Sequence, residues 1–220
     1  MRPEPDGDQA TDDVRAGRVG ARVPPLEGEI QVRAAQIGPR ADEEVRGVWR
    51  DRYLPSMAQV NNGDRDWAYL DTLHRESLDE LLATHDVGDE LGDAAREELV
   101  AAWHHLPPWP DSAETIERLR TRFRVVALSN GGFALLVALV KAAGLRFDAI
   151  LSAELARAYK PAPGPYRTAA ELMDVSPHQV LMVAAHGWDI DGARAAGLRT
   201  AFLARPGEKG PHRPTRRARP

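Results

Sequence analysis

The hydrophobic rhythm of the chain changes once. Over residues 42–106 apolar positions recur at helical spacing. Val45, Val48, Trp49 and Tyr53 form one stripe, and Trp67, Leu70, Leu73, His74, Leu78, Leu81 and Leu82 form a second. Asn61-Asn62-Gly63-Asp64 separates the two, and a third helix is expected over about 89–105. Leu106-Pro107-Pro108-Trp109-Pro110 cannot continue a helix and marks a boundary. Beyond it, short apolar runs at 123–128, 149–152, 179–185 and 198–203 read as strands, the last two as buried ones. Helical segments are expected between them: to Arg120 from a cap at Asp111 or Ser112, over 133–143 closed by Gly144, over 165–173, and from a cap at Asp189 to Gly197. Strand and helix in alternation imply a parallel sheet with helices on its faces. The pattern therefore divides the chain into an irregular segment 1–40, a helical module 41–106, an α/β core 107–205 and a basic tail 206–220.

Composition narrows the picture. The chain has 220 residues, 43% of them hydrophobic, enough for one ordinary core with a smaller insert. A net charge of −4 gives no reason to expect nucleic acid, and the basic tail reads as a solvated end. There is no cysteine, so disulfides and thiol chemistry are excluded and a cytoplasmic setting is expected. No apolar run approaches a membrane span, and Met1-Arg2-Pro3-Glu4-Pro5-Asp6 lacks the apolar stretch of a signal peptide. Residues 29–37 read equally as a strand or a helical turn.

Candidate chemistry gathers in three loops that follow expected strands, where open α/β sheets carry their sites. The first is Ser129-Asn130-Gly131, whose hydroxyl, amide and backbone N–H groups suit an anion. The second holds Lys160 before Pro161. The third is His186-Gly187-Trp188-Asp189. Taken singly, each has a plainer reading: a capped turn, a solvated lysine, a helix N-cap and a core tryptophan. Their co-location favours a site.

Together these strings resemble the haloacid dehalogenase superfamily, and within it the type II (S)-2-haloacid dehalogenases. Leu128-Ser129-Asn130-Gly131 is similar to the second motif of that family, and Tyr159-Lys160-Pro161 with Tyr166 to the third. Val183-Ala184-Ala185-His186-Gly187-Trp188-Asp189 resembles the fourth, in a His-containing form. Trp49-Arg50 and Leu73-His74-Arg75-Glu76-Ser77-Leu78 resemble the helical cap. The resemblance implies a Rossmann-like parallel sheet core with an inserted all-helical cap. It also implies hydrolytic removal of halide from short 2-haloalkanoic acids, giving 2-hydroxy acids. In such a reaction an aspartate displaces halide from C2 and forms an ester, which water then cleaves. By position, Lys160, Asp189, Ser129 and Asn130 would be catalytic, and Arg50, Tyr166, His186 and Trp188 would bind substrate, Arg50 receiving the halide.

One departure matters. The family's first motif, Phe-Asp-x-Tyr/Phe-Gly-Thr, supplies the nucleophile, and no such string occurs in the sequence. Position would put it near Val19-Gly20, so the nucleophile stays unassigned and an impaired dehalogenase is expected. Loss of that central strand would leave unpaired backbone beside the strands ending at Leu128 and Ala185. The alternative is a non-catalytic relative that binds carboxylates or a partner. A superfamily phosphatase is disfavoured, because Ala185 stands where such enzymes place the first of two metal-binding acids; one carboxylate, Asp189, makes a poor hard-cation site. No metal and no cofactor are expected. The expected partner is a small 2-haloalkanoic acid, with neither nucleic acid nor membrane, and a homodimer is compatible.

Overall fold

The structure, a computed structural model, describes residues 48–84, 91–105 and 107–205. The expectations for 1–40, including 29–37, and for 206–220 lie outside the described residues.

The first half is helical. A helical turn at 48–51 leads into α1 (Tyr53–Asn62), which ends at Gly63. Gly63 takes a left-handed φ of 78°, and its N–H reaches back to Val60 O at 3.2 Å. This is the stop that a residue without Cβ makes cheaply. Helix α2 (Leu70–Thr84) buries Leu70, Leu73, His74, Ser77, Leu78, Leu81 and Leu82. That three-four spacing draws one continuous inward stripe. Trp67, which the pattern assigned to this helix, precedes it. Helix α3 (Asp93–Ala101) passes into a 3-10 turn at Ala102–His105. Trp49, Leu78, Leu81, Leu82, Leu91, Leu99 and Val100 close over one another, with Trp103 against them. The Trp49 indole N–H is not left dry: it donates to His74 O at 3.2 Å and Ser77 Oγ at 3.1 Å.

The second half alternates as expected, with shifted boundaries: α4 (Ser112–Arg120), β1 (Val126–Ser129), α5 (Phe133–Ala142), β2 (Ala149–Ser152), α6 (Pro163–Leu172), β3 (Leu181–Ala184), α7 (Gly187–Ala195) and β4 (Arg199–Phe202). Strand β1 pairs with β2 in parallel, Val126 opposite Ala149 and Ser129 opposite Ser152. Strand β3 pairs with β4 in parallel, Leu181 opposite Arg199 and Ala184 opposite Phe202. Each pair is a βαβ unit, closed by α5 or α7.

The described strands form two separate two-stranded ladders, and no ladder joins β1 to β3 among the described residues, the two strands beside which the central one was expected to be lost. Two expectations need correction. The runs read as fully buried strands are open on one face: Leu181 is 56% and Val183 50% exposed, and Phe202 is also exposed. Two strands in a ladder leave one edge each, and nothing described covers the Leu181–Val183 face, so burial stops short of what the apolar run called for. The caps also differ. Asp111 occupies the N-cap position of α4 without capping it; its carboxylate accepts from Arg205 at 2.8 Å instead. Asp189 is not an N-cap either. His186 holds that position, and Asp189 lies inside the first turn of α7.

Two apolar seams shape the site, one between the halves and one within the second half. Met57, Leu70 and Leu73 pack with Ala153 and Tyr159, joining the helical half to the loop after β2. Tyr166, Ala193, Ala196 and Leu198 pack beneath Leu128, Val180 and Met182, joining the two ladders.

Candidate active site

The loop between β2 and α6 delivers Lys160 into the interior, 5% exposed. Its backbone is gripped by one side chain: Lys160 N–H donates to Asn130 Oδ1 at 2.8 Å, and Asn130 Nδ2 donates to Lys160 O at 3.1 Å. Asn130 stands just past β1, itself buried. The Lys160 ammonium donates to Asp189 Oδ2 at 2.6 Å and to the carbonyl of Leu128, on β1, at 3.0 Å. The other Asp189 oxygen, Oδ1, accepts from the Tyr166 hydroxyl at 2.7 Å. Thus one carboxylate from α7 receives a cation from the β2–α6 loop and a phenol from α6.

This geometry has electrostatic consequences. Burial pulls the Lys160 ammonium below its ordinary value, against the opposing pull of Asp189. Burial, and then the hydrogen bond to Asp189, hold the Tyr166 phenol well above the usual range, so it remains a donor. Close packing supports both. A Cβ on Gly192 would stand 2.7 Å from the Pro161 carbonyl and 2.8 Å from the Tyr166 hydroxyl oxygen. Only glycine lets α7 approach the lysine loop this closely.

The helical half forms the opposite wall. Tyr53, on α1, brings its hydroxyl to 3.4 Å from Asn130 Nδ2, and burial raises its pKa to about 12. Its ring lies 6.5 Å from Trp188, which stacks on His186 at 5.5 Å. Met57 Sδ meets Asn130 Nδ2 at 3.1 Å. Asn61, at the end of the same helix, bonds both backbone groups of Tyr159.

The expected site residues are therefore distributed as follows. Lys160, Asp189, Tyr166 and Asn130 are in direct contact, and His186 and Trp188 stand beside them as a half-buried stacked pair. The Ser129 hydroxyl oxygen is used locally, accepting from Gly131 N–H at 3.1 Å. Arg50 is exposed, next to the buried Trp49. Among the described residues no group of three or more acidic, histidine or cysteine side chains could hold a metal ion, and no helix is long and apolar enough to cross a membrane. Sequence reasoning missed Tyr53, Met57 and Asn61 as site residues. Their spacing of four residues, aligned on one helix face, was the available signal.

The family model for haloacid dehalogenase-like hydrolases matches residues 11–197. The (S)-2-haloacid dehalogenase 4A of Burkholderia cepacia is 33% identical over 177 residues, 79% of this chain and 75% of that protein. The crystal structure of the L-2-haloacid dehalogenase from Xanthobacter autotrophicus with chloropropionic acid covalently bound is similar at a TM-score of 0.71. It is 31% identical, covering 80% of this chain and 72% of that one. A defluorinating L-2-haloacid dehalogenase matches at a TM-score of 0.78 and 35% identity, over 86% of this chain and 80% of that one. With a family match of that extent and relatives this similar over most of both chains, the chain belongs to the haloacid dehalogenase-like hydrolases, as a 2-haloacid dehalogenase-like member.

Proposed function

We propose that this protein is a cytoplasmic, metal-independent hydrolase of short 2-haloalkanoic acids, with a cap at 41–106 over a core at 107–205, and that its turnover is far below that of its relatives. The observation that carries the reading is the buried Lys160–Asp189–Tyr166 group, gripped by Asn130 and walled by Tyr53 and Trp188. A buried ammonium with one carboxylate partner can balance a second negative charge, that of a substrate carboxylate or of an attacking carboxylate. Asn130 holds the ammonium in register. Tyr166 keeps Asp189 oriented toward it. His186 and Trp188 offer an apolar, polarisable wall for a halogen-bearing carbon. Arg50 and Ser129 take the halide and carboxylate roles in this reading only through rearrangement of the observed contacts.

Low turnover follows from the missing nucleophile motif. The covalent route needs a carboxylate that forms an ester at C2 as the carbon–halogen bond breaks and its electron pair leaves with the halide. Water then splits the ester. Asp189 is the carboxylate on Lys160 among the described residues, and both of its oxygens are already engaged. Covalent catalysis without its nucleophile loses most of its acceleration. The same observation favours a second reading, a binder of small carboxylates. One experiment separates them: chloride release from L-2-chloropropionate, with calorimetric titration of the same compound. Binding with slow release, both abolished in Lys160→Met, is the expected result. Binding with no release above the uncatalysed rate supports the binder, and absence of binding refutes both readings.

A further inference from the structure

We infer that Asn61 is a positioning residue for Lys160, tying the backbone that carries the ammonium to helix α1, so that the seating of the cap helix sets where the ammonium stands. The inference rests on the reading of Lys160 as the charged group of the site.

The geometry is a double clamp on consecutive residues. Asn61 Oδ1 accepts from Tyr159 N–H at 2.8 Å, and Asn61 Nδ2 donates to Tyr159 O at 3.0 Å. Asn130 makes the same pair of bonds to Lys160, at 2.8 and 3.1 Å. Each amide fixes both backbone groups of one residue, so the 159–160 backbone cannot rotate without breaking bonds to one asparagine or the other. Asn61 comes from the helical half, 98 residues away in sequence, and Asn130 from the turn after β1. Both clamps answer to α1, because Tyr53 and Met57, on the same helix face as Asn61, touch the Asn130 amide. A shift of α1 therefore reaches Lys160 by two routes.

The seam between the halves does not need Asn61 to hold it. Tyr159 is fully buried, its hydroxyl donates to Ala68 O at 2.6 Å, and its ring stacks on Trp67 at 4.7 Å. These contacts anchor the side chain. What Asn61 adds is the orientation of the backbone one residue before the ammonium. Small misplacements of a charged group at a site cost far more in function than in stability.

The test uses the full chain labelled with ¹⁵N-lysine, the Lys160 ammonium resonance being assigned by its loss in Lys160→Met. Its titration is followed in wild type, Asn61→Ala, Asn61→Asp and Tyr159→Phe, with calorimetric binding of L-lactate and a thermal melt for each. Asn61→Ala is expected to shift the Lys160 titration and weaken lactate binding about tenfold, the equivalent of a lost buried hydrogen-bond pair. Asn61→Asp keeps the acceptor and loses the donor, and should fall between Asn61→Ala and wild type; it carries the test if Asn61→Ala does not fold. Tyr159→Phe should lower the melting temperature and leave the Lys160 titration in place. An unshifted Lys160 in both Asn61 variants overturns the inference, as does an equal shift in Tyr159→Phe, which would make the effect one of general loosening. If Lys160→Met leaves lactate binding intact, the reading of Lys160 itself fails and takes the inference with it; if Lys160→Met abolishes binding and the Asn61 variants retain it with Lys160 unshifted, the reading of Lys160 stands alone.

Discussion

Two buried ionisable side chains, Lys160 in the core and His74 in the helical half, are equally hidden and oppositely treated. Lys160 is 5% exposed and its ammonium meets a carboxylate and a backbone carbonyl. His74 is 6% exposed, and neither ring nitrogen has a hydrogen-bond partner among the described residues. Its ring instead stacks on Trp103 at 4.9 Å and leans on Tyr53 at 5.8 Å, with the Trp49 ring edge-on at 6.2 Å. Burial lowers its pKa to about 4, so at neutral pH it is an uncharged aromatic plate. The contrast teaches where this fold keeps a charge in the dry interior. It does so at the loop edge of the strands, where a carboxylate and a carbonyl receive the ammonium, and at His74 it neutralises the group.

The largest effect should come from breaking the satisfied member. Asp189→Ala leaves the Lys160 ammonium buried and unpaired, and is expected to cost about 3–5 kcal/mol in urea unfolding. Lys160→Met combined with Asp189→Leu should recover most of that loss, because no charge then remains in the dry interior. A single Asp189→Ala variant as stable as wild type would mean the pair is not buried in solution.

The neutral member predicts a pH dependence of definite sign. The folded pKa of His74, about 4, lies below the unfolded 6.5, so the unfolded chain binds more protons between these values. Stability should therefore be complete above pH 6.5 and fall as the pH drops toward 4, by about 3 kcal/mol in all. The nearby Asp71 carboxylate favours the charged ring and the His104 imidazole opposes it, both weaker than burial. In His74→Phe this component should vanish from denaturation curves recorded at pH 4–7; an unchanged acid slope would assign it to other groups.

Close packing offers a smaller lever on the same comparison. Gly192→Ala forces a methyl against the Pro161 carbonyl and the Tyr166 hydroxyl. About 2 kcal/mol of destabilisation is expected from such overpacking, together with a perturbed Lys160 resonance and an unmoved His74 titration. Equal disturbance of both would show that the two regions are mechanically one. The smallest effect belongs to the surface. Arg52 and Glu80 pair at 2.7 Å, but Glu80 is largely exposed, and Arg52→Ala should cost no more than about 0.5 kcal/mol.

The helical half was legible because its signal is local. Leu70, Leu73, Leu78 and Leu81 repeat at helical spacing, and α2 buries that stripe. The alternation after the prolines was legible for the same reason, as were the loops bearing Asn130, Lys160 and Asp189. Two kinds of feature were not. Strand burial was over-read, because an apolar run such as Leu181-Met182-Val183 states a preference for burial while the number of neighbours decides its extent. The cap at Asp189 was misread, because α7 starts two residues earlier, at Gly187, which puts Asp189 inside the first turn with its carboxylate on Lys160 and Tyr166.

By itself the sequence determined the class of fold, the order of its elements and the three loops that carry the polar residues, since periodicity, prolines and glycines act over a few residues. Only the tertiary structure decided the pairings. It turned the second oxygen of Asp189 to Tyr166, placed Tyr53, Met57 and Asn61 over the lysine loop, left Arg50 exposed, and kept β1 and β3 in separate ladders among the described residues. The physical reason is that a hydrogen bond or an ion pair depends on distances below about 4 Å between atoms. Partners that lie 29 or 98 residues apart in the chain reach that distance only after the cores that position them have closed.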